Sequence, residues 1–395
     1  MTPRAPVAGL AALAILLLAA PAAALVEYNS ELGLLVHVEP GGGVVVYSVE
    51  DGALRKLAVL EAGGGLEDAQ AVSVAGEAFL AACGPGGLGL YRLPGLEPAA
   101  SLGLPCVALD FPAALVYEGD TLVARLYMVV WRGGAATLEP MASLYVSNAV
   151  RYGYEDIEVE PLDVVYYLDP LGVEAVVRLR HGGREWLTLA LYLPFYYAER
   201  IVGLELPWVA EPEQLELCSL EPSPDRDAAV ALLHDRRGGS HLLLLLPSIE
   251  GGLYIGVSGP ETRNVSWAGW LDESTLLLIS SSGRAYLLEP LSGSHVDLNV
   301  TLNSPPGPCS DAAVVEDGPR TLLAYEDVEG TLRLTALAVP AEHTEPKPAP
   351  TTITTTAPAA ATATGAPEAA APAGHGYAAA ALVLVLVLVL ILLLL

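Results

Sequence analysis

Positive charge is scarce in this 395-residue chain: 19 Lys and Arg stand against 46 Asp and Glu, and only two of the bases are lysine. The formal charge of −27 excludes unaided binding to nucleic acid or to anionic lipid headgroups, which need a cationic surface. Cysteine is sparse too. Cys83, Cys106, Cys218 and Cys309 are the only four, and no two have the C-x₂₋₄-C spacing of a zinc half-site, so no zinc site is expected. Catalytic signatures are missing: no Gly-x-Ser-x-Gly elbow, no His-Glu-x-x-His, and no glycine-rich phosphate or dinucleotide loop after a suitable strand. Nothing in the chain therefore names a reaction, and no catalytic residue is assigned. Long, well-capped amphipathic helices are also absent between the two ends.

What is present sorts first by position. Arg4 precedes an uncharged Ala/Leu/Ile run from Ala5 to Leu18, and Pro21-Ala22-Ala23-Ala24 then offers the small residues that signal peptidase requires. Residues 1–24 read as a cleaved secretory signal. Ala378 to Leu395 carries no polar side chain and, at 1.5 Å per residue, reaches about 27 Å, close to the hydrocarbon thickness of a bilayer. Residues 377–395 are thus expected to form one transmembrane helix, with the head outside the cell and the C-terminus at or near the cytoplasmic side; exchange of the tail for a lipid is the alternative. Between head and anchor, residues 344–376 hold Pro-Lys-Pro-Ala-Pro and a Thr run broken only by Ile353. That composition has too little bulky apolar surface to fold and reads as an extended stalk.

The head is residues 25–343. The end segments contain two acids (Glu345, Glu368) and two bases (Arg4, Lys347), so the whole charge excess lies on the head. In an exported domain an even cysteine count implies two disulfides, whose pairing the sequence leaves open. Asn264-Val265-Ser266 and Asn299-Val300-Thr301 are glycosylation sequons and mark surface positions.

Strand signals fill the head. Leu34–Val38, Val44–Val49, Leu88–Leu93, Leu122–Trp131, Val173–Leu179, Leu187–Leu193, Leu242–Leu246, Leu276–Ser280 and Leu332–Ala338 are short, rich in Val, Leu or Tyr, and bounded by turn residues. They also repeat. Asp68-Ala-Gln-Ala-Val72, a turn at Gly76, then Phe79-Leu80-Ala81 matches Asp311-Ala-Ala-Val-Val315, a turn at Gly318, then Leu322-Leu323-Ala324. Looser copies start at Asp110, Asp163 and Asp227, with a further strand pair at Trp267–Leu271 and Thr275–Ile279. The mean step is about 49 residues, the length of four short strands with their turns.

Seven units follow, beginning near residues 25, 67, 106, 160, 224, 264 and 309. In this spacing, most clearly over Leu276–Leu291, the head resembles WD-repeat-like and quinoprotein-like β-propellers. The resemblance is one of architecture: the Gly-His and Trp-Asp dipeptides, the tryptophan docking motifs and the Asp-box are all absent from the head. It implies an all-β, seven-bladed propeller; six or eight blades, or tandem β-sandwiches split between Tyr145 and Pro161, are the alternatives. The last unit lacks a fourth strand after Pro340, and Leu25-Val-Glu-Tyr28 is expected to supply it and close the ring.

Two groups of residues are candidate sites. Asp68, Asp110, Asp163, Asp227 and Asp311 recur at one place in the unit, around one mouth of a propeller's channel, where converging carboxylates hold Ca²⁺ or attract a cationic ligand. Alternatively each satisfies backbone N–H groups in its own turn. The second group is aromatic: ten of the 17 tyrosines fall between Tyr117 and Tyr197, among them Tyr152, Tyr154 and Tyr196. Such residues stack on sugar rings or anchor a protein partner. In the pairs Tyr166-Tyr167 and Tyr196-Tyr197, strand alternation should expose one member of each. The expected function is a membrane-anchored extracellular binding module for an envelope protein or glycan. The alternatives are a carbohydrate-active enzyme using the channel-mouth carboxylates and a passive envelope component.

Overall fold

The computed structural model describes residues 25–340 apart from 62–64, 133–134, 152–155, 205–214, 249–253, 258–259 and 328. The expected signal, stalk and anchor, with Tyr152 and Tyr154, lie outside the described residues. Among the described residues no helix is long and apolar enough to cross a membrane.

Seven antiparallel sheets follow one another along the chain, six of four strands and the last of three. Blade 1 is β1 (Leu25–Asn29), β2 (Leu34–Val38), β3 (Gly43–Glu50) and β4 (Ala53–Glu61). Blade 2 is β5 (Asp68–Val74), β6 (Glu77–Gly84), β7 (Gly87–Arg92) and β8 (Glu97–Leu102). Blade 3 is β9 (Cys106–Asp110), β10 (Ala113–Glu118), β11 (Thr121–Arg132) and β12 (Ala135–Leu144). Blade 4 is β13 (Glu158–Leu168), β14 (Leu171–His181), β15 (Arg184–Leu193) and β16 (Ala198–Gly203). Blade 5 is β17 (Leu215–Pro222), β18 (Ala229–Asp235), β19 (Ser240–Leu245) and β20 (Tyr254–Val257). Blade 6 is β21 (Val265–Trp270), β22 (Leu276–Ser280), β23 (Arg284–Leu288) and β24 (His295–Thr301). Blade 7 is β25 (Ala312–Asp317), β26 (Arg320–Glu326) and β27 (Leu332–Leu337). The first strands of consecutive blades touch in order, and β25 returns to β1, so they line a closed ring around an axis. One short helix, Val146–Val150, links blades 3 and 4.

Turn chemistry fixes where the strands reverse. Asp51 and Gly52 between β3 and β4 both have positive φ, 53° and 77°, the mirror-image turn whose twist matches that of the paired strands. At Gly87 a Cβ would stand 2.1 Å from the Leu102 carbonyl oxygen, so only glycine admits the close approach of β7 to the end of β8.

Each blade buries both faces, and the core is accordingly divided into seven apolar clusters, one per seam. Alternation along β2 shows how: Leu34, Val36 and Val38 pack toward blade 2, while Leu35, wholly buried, packs with Val315, Leu322 and Ala324 of blade 7. Side chains of this size contribute about 1.5–3 kcal/mol each when fully buried, so the seams supply most of the fold's cohesion.

The ring closes differently from the expectation. Leu25–Tyr28 belongs to β1 and pairs within its own blade, from Leu25 opposite Val38 to Asn29 opposite Leu34. A short hairpin, pinned by the Leu32 N–H donating to Asn29 Oδ1 (2.9 Å), closes with far less loss of chain entropy than a pairing across the whole head. Blade 7 keeps three strands among the described residues. Its seam with blade 1 is held by the apolar cluster and three polar links: Val26 N–H to Asp311 Oδ2 (2.9 Å), Tyr28 Oη to the Glu316 carbonyl (2.9 Å), and His37 with Glu326 (3.0 Å).

Two disulfides cross seams. Cys83–Cys106 joins the end of β6 to the start of β9, and Cys218–Cys309 joins β17 to the segment before β25. Closing loops of 23 and 91 residues removes about 3.4 and about 4.6 kcal/mol of unfolded-chain entropy on the loop model.

Candidate functional site

The innermost strands bring six carboxylates together: Glu27 on β1, Asp68 heading β5, Asp110 ending β9, Asp163 on β13, Glu221 on β17 and Asp311 just before β25. Asp68 and Asp110 are buried, and the other four are half-buried. Three of them stitch one blade to the next. Leu109 N–H donates to Asp68 Oδ2 (2.7 Å), Tyr166 N–H to Asp110 Oδ2 (2.7 Å), and Val26 N–H to Asp311 Oδ2 (2.9 Å). Gln70 works alongside, donating to Glu27 Oε1 (2.8 Å) and the Leu109 carbonyl (2.9 Å) while accepting the Phe111 N–H (2.8 Å). The aspartates thus satisfy backbone groups, as one of the two expectations held, but chiefly those of the neighbouring blade. An inner strand presents donors to its neighbour that a carboxylate can take without a sheet pairing.

Burial first, then mutual repulsion for all but Asp311, pushes protons onto five of the six, Glu27, Asp68, Asp163, Glu221 and Asp311. Asp68 and Asp311 are raised to about 7 by burial, against the pull of backbone N–H donors. Glu27 is raised well above the carboxylate range by burial and by Asp68, Asp110, Glu221 and Asp311. Asp163 and Glu221 rise in the same way, Glu221 with Arg226 opposing. The protons belong to the cluster rather than to single residues. Arg226 is the cation that meets it: its guanidinium donates to Asp110 and lies 5.8 Å from the centre of the Tyr166 ring.

Asp227 departs from the expected position. It lies in the β17–β18 turn with Asp225, both within hydrogen-bond reach of Ser223 Oγ (3.1 and 2.7 Å). The Asp-Ala-Ala-Val signal of blade 5 starts its second strand, not its first, and the acid at the axis is Glu221. Glu27 and Glu221 were missed because single glutamates between apolar strand residues carry no turn signature; an acid within a blade's first strand is the signal that finds them. Among the described residues, only Cys218, His234 and Cys309 place three ligand atoms within 4.8 Å of one another.

The aromatic candidates separate by location. Tyr167 is buried and donates to Glu174 Oε2 (2.6 Å), while Tyr166 is half-buried under Arg226. Tyr196 and Tyr197 do not alternate on a strand. They sit in a helical turn after Pro194, Tyr197 with a left-handed φ of 50°, and Phe195, Tyr196 and Tyr197 are 75%, 57% and 88% exposed. Leu168, 58% exposed, lies at the same end of blade 4, where its N–H donates to the Arg226 carbonyl (2.8 Å). One end of blade 4 therefore offers exposed apolar and aromatic side chains, of which Leu168 joins the arginine that meets the acids. The sequon asparagines Asn264 and Asn299 are both exposed on blade 6.

This geometry is that of a seven-bladed β-propeller. Compared by sequence, the chain matches no described protein family and no curated protein. Among solved structures it is similar to the β-propeller domain of Cps50 (Swd1) from Myceliophteria thermophila, at 12% identity and a TM-score of 0.52, over 81% of this chain and 97% of that one. It is also similar to a chain of the mitotic checkpoint complex, at 11% identity and a TM-score of 0.50, over 80% and 88%. At these identities the likeness establishes the fold alone.

Proposed function

We propose that the chain is an exported, membrane-anchored interaction module whose propeller head binds a protein partner at the end carrying Phe195, Tyr196, Tyr197 and Leu168. The exposure of three consecutive aromatics on one helical turn carries this reading, because such side chains give large contact area at small entropic cost. The net charge and the acidic axis favour a partner that presents Arg or Lys next to apolar residues. Export and anchoring are supported by the signal-like first 24 residues, by two disulfides, and by the apolar run Ala378–Leu395. Asp68, Asp110 and Asp311 serve as stitches, so binding is preferred to carbohydrate hydrolysis. A glycan is the second reading, since exposed tyrosines also stack on sugar rings.

The test compares the full-length chain in detergent with a variant carrying Phe195→Ala, Tyr196→Ala and Tyr197→Ala, against envelope proteins of the native host and a glycan array. Saturable, salt-sensitive protein binding that weakens at least tenfold in the variant is expected. Binding on the array alone would replace the protein partner with sugar, and protein binding indifferent to the three substitutions would sink the reading.

A further inference from the structure

Cys218 and Cys309 lie 91 residues apart, so their spacing offers no metal half-site, yet the fold delivers both to one seam together with His234. The ligand atoms of the three lie within 4.8 Å of one another, and all three residues are half-buried. We propose that Cys218, Cys309 and His234 form a redox-gated site for one thiophilic cation, of which Zn²⁺ is the working example: empty while the disulfide stands, and competent once it is reduced.

The histidine carries the argument. His234 Nε2 lies 2.8 Å from the Val265 carbonyl oxygen, which only accepts, so Nε2 holds the ring proton and donates it. Nδ1 then bears the lone pair, and it faces Cys309 Sγ at 3.8 Å. A disulfide sulfur has no proton to give, so this acceptor is aimed at a group that cannot satisfy it. The same arrangement suits a metal, because ligating histidines donate their other N–H to a backbone carbonyl, which fixes tautomer and ring orientation. Val265 is itself held, its N–H donating to Ser240 Oγ at 2.8 Å. In a tetrahedral site built with Zn–S about 2.3 Å and Zn–N about 2.05 Å, the S···N edge is about 3.6 Å, close to the separation already present. The fourth position would be left to water or an added ligand.

The step balances simply. Two electrons from a thiol reductant open the S–S bond, and two reductant thiols become one disulfide while Cys218 and Cys309 take up two protons. Zn²⁺ then displaces those protons as both thiolates and His234 Nδ1 bind. His234 stands on blade 5, Val265 opens blade 6 and Cys309 precedes blade 7, so metal and disulfide are alternative clamps on the same seams.

Cobalt(II) makes the test visible. The full-length chain, reduced with a phosphine and freed of excess reductant, should bind one Co²⁺ with thiolate charge-transfer absorption and tetrahedral visible bands. Zn²⁺ should displace it, and the oxidised chain should show neither feature. His234→Ala, which keeps the disulfide for folding, should weaken Co²⁺ binding at least tenfold, whereas Cys83→Ala with Cys106→Ala should leave the bands intact. A reduced chain without thiolate absorption would overturn the proposal, as would bands unchanged by His234→Ala or lost with the Cys83–Cys106 pair.

Discussion

Replacing Arg226 with Met removes the cation from the acid ring while keeping most of the aliphatic stem. Asp110, 4% exposed, then keeps the Tyr166 N–H as donor but loses its guanidinium. Removing one partner of a buried pair costs about 3–5 kcal/mol, and the partial exposure of Arg226 places this case near the lower end, roughly 3 kcal/mol. In a head of this size the midpoint falls about 2 °C per kcal/mol, so a drop of about 6 °C is expected at pH 8. The cost depends on pH. Losing the cation removes the charge that opposes the rise of Glu221, and an acid whose folded pKa lies above its unfolded one withdraws stability as pH rises from about 4 through the folded value. The deficit should therefore shrink toward zero as the pH falls to about 4. Adding Asp110→Asn should recover most of the loss at pH 8. Urea unfolding of the full-length chain at both pH values gives the numbers, and an equal deficit at each pH, or no rescue by Asp110→Asn, would refute the shared-charge reasoning.

Three further outcomes follow from the same structure. The unmodified protein should melt at a higher temperature at pH 5 than at pH 8: Asp68, Asp311 and Glu174 are all raised to about 7, so the folded chain keeps protons that the unfolded chain releases between about pH 4 and pH 7. Glu174→Gln should flatten part of that slope and gain about 1–2 kcal/mol at pH 8, since burial rather than a charge partner raises Glu174; calorimetry across pH reads both. Leu35→Ala, at the seam that closes the ring without an exchanged strand, should cost about 3 kcal/mol in urea unfolding.

The architecture was legible because each blade repeats a local grammar of short strands and tight turns. Six of the seven expected starts fall within about three residues of a blade, and the fifth, near 224, is late because the signal at Asp227 marks β18 instead of β17. The Asp110 copy slips similarly, but its side chain still reaches the axis because β9 ends there. What escaped the sequence depends on contacts between distant segments. Local pattern does not say which hairpin takes up Leu25–Tyr28, that Glu27 and Glu221 complete the ring, or that His234 meets two cysteines. The exposure of both Tyr196 and Tyr197 was hidden for a different reason: Pro194 opens a helical turn where strand alternation was assumed.

The most direct test of the interaction reading places a photo-crosslinking residue at Tyr197 in the full-length chain in its native cells, with Leu291 as control. Leu291 is 78% exposed in the β23–β24 turn of blade 6, two blades from the aromatic turn. The account predicts one discrete protein adduct from position 197 and none from 291, lost when Phe195 and Tyr196 become Ala. Equal labelling from both positions, or none from 197, would contradict it.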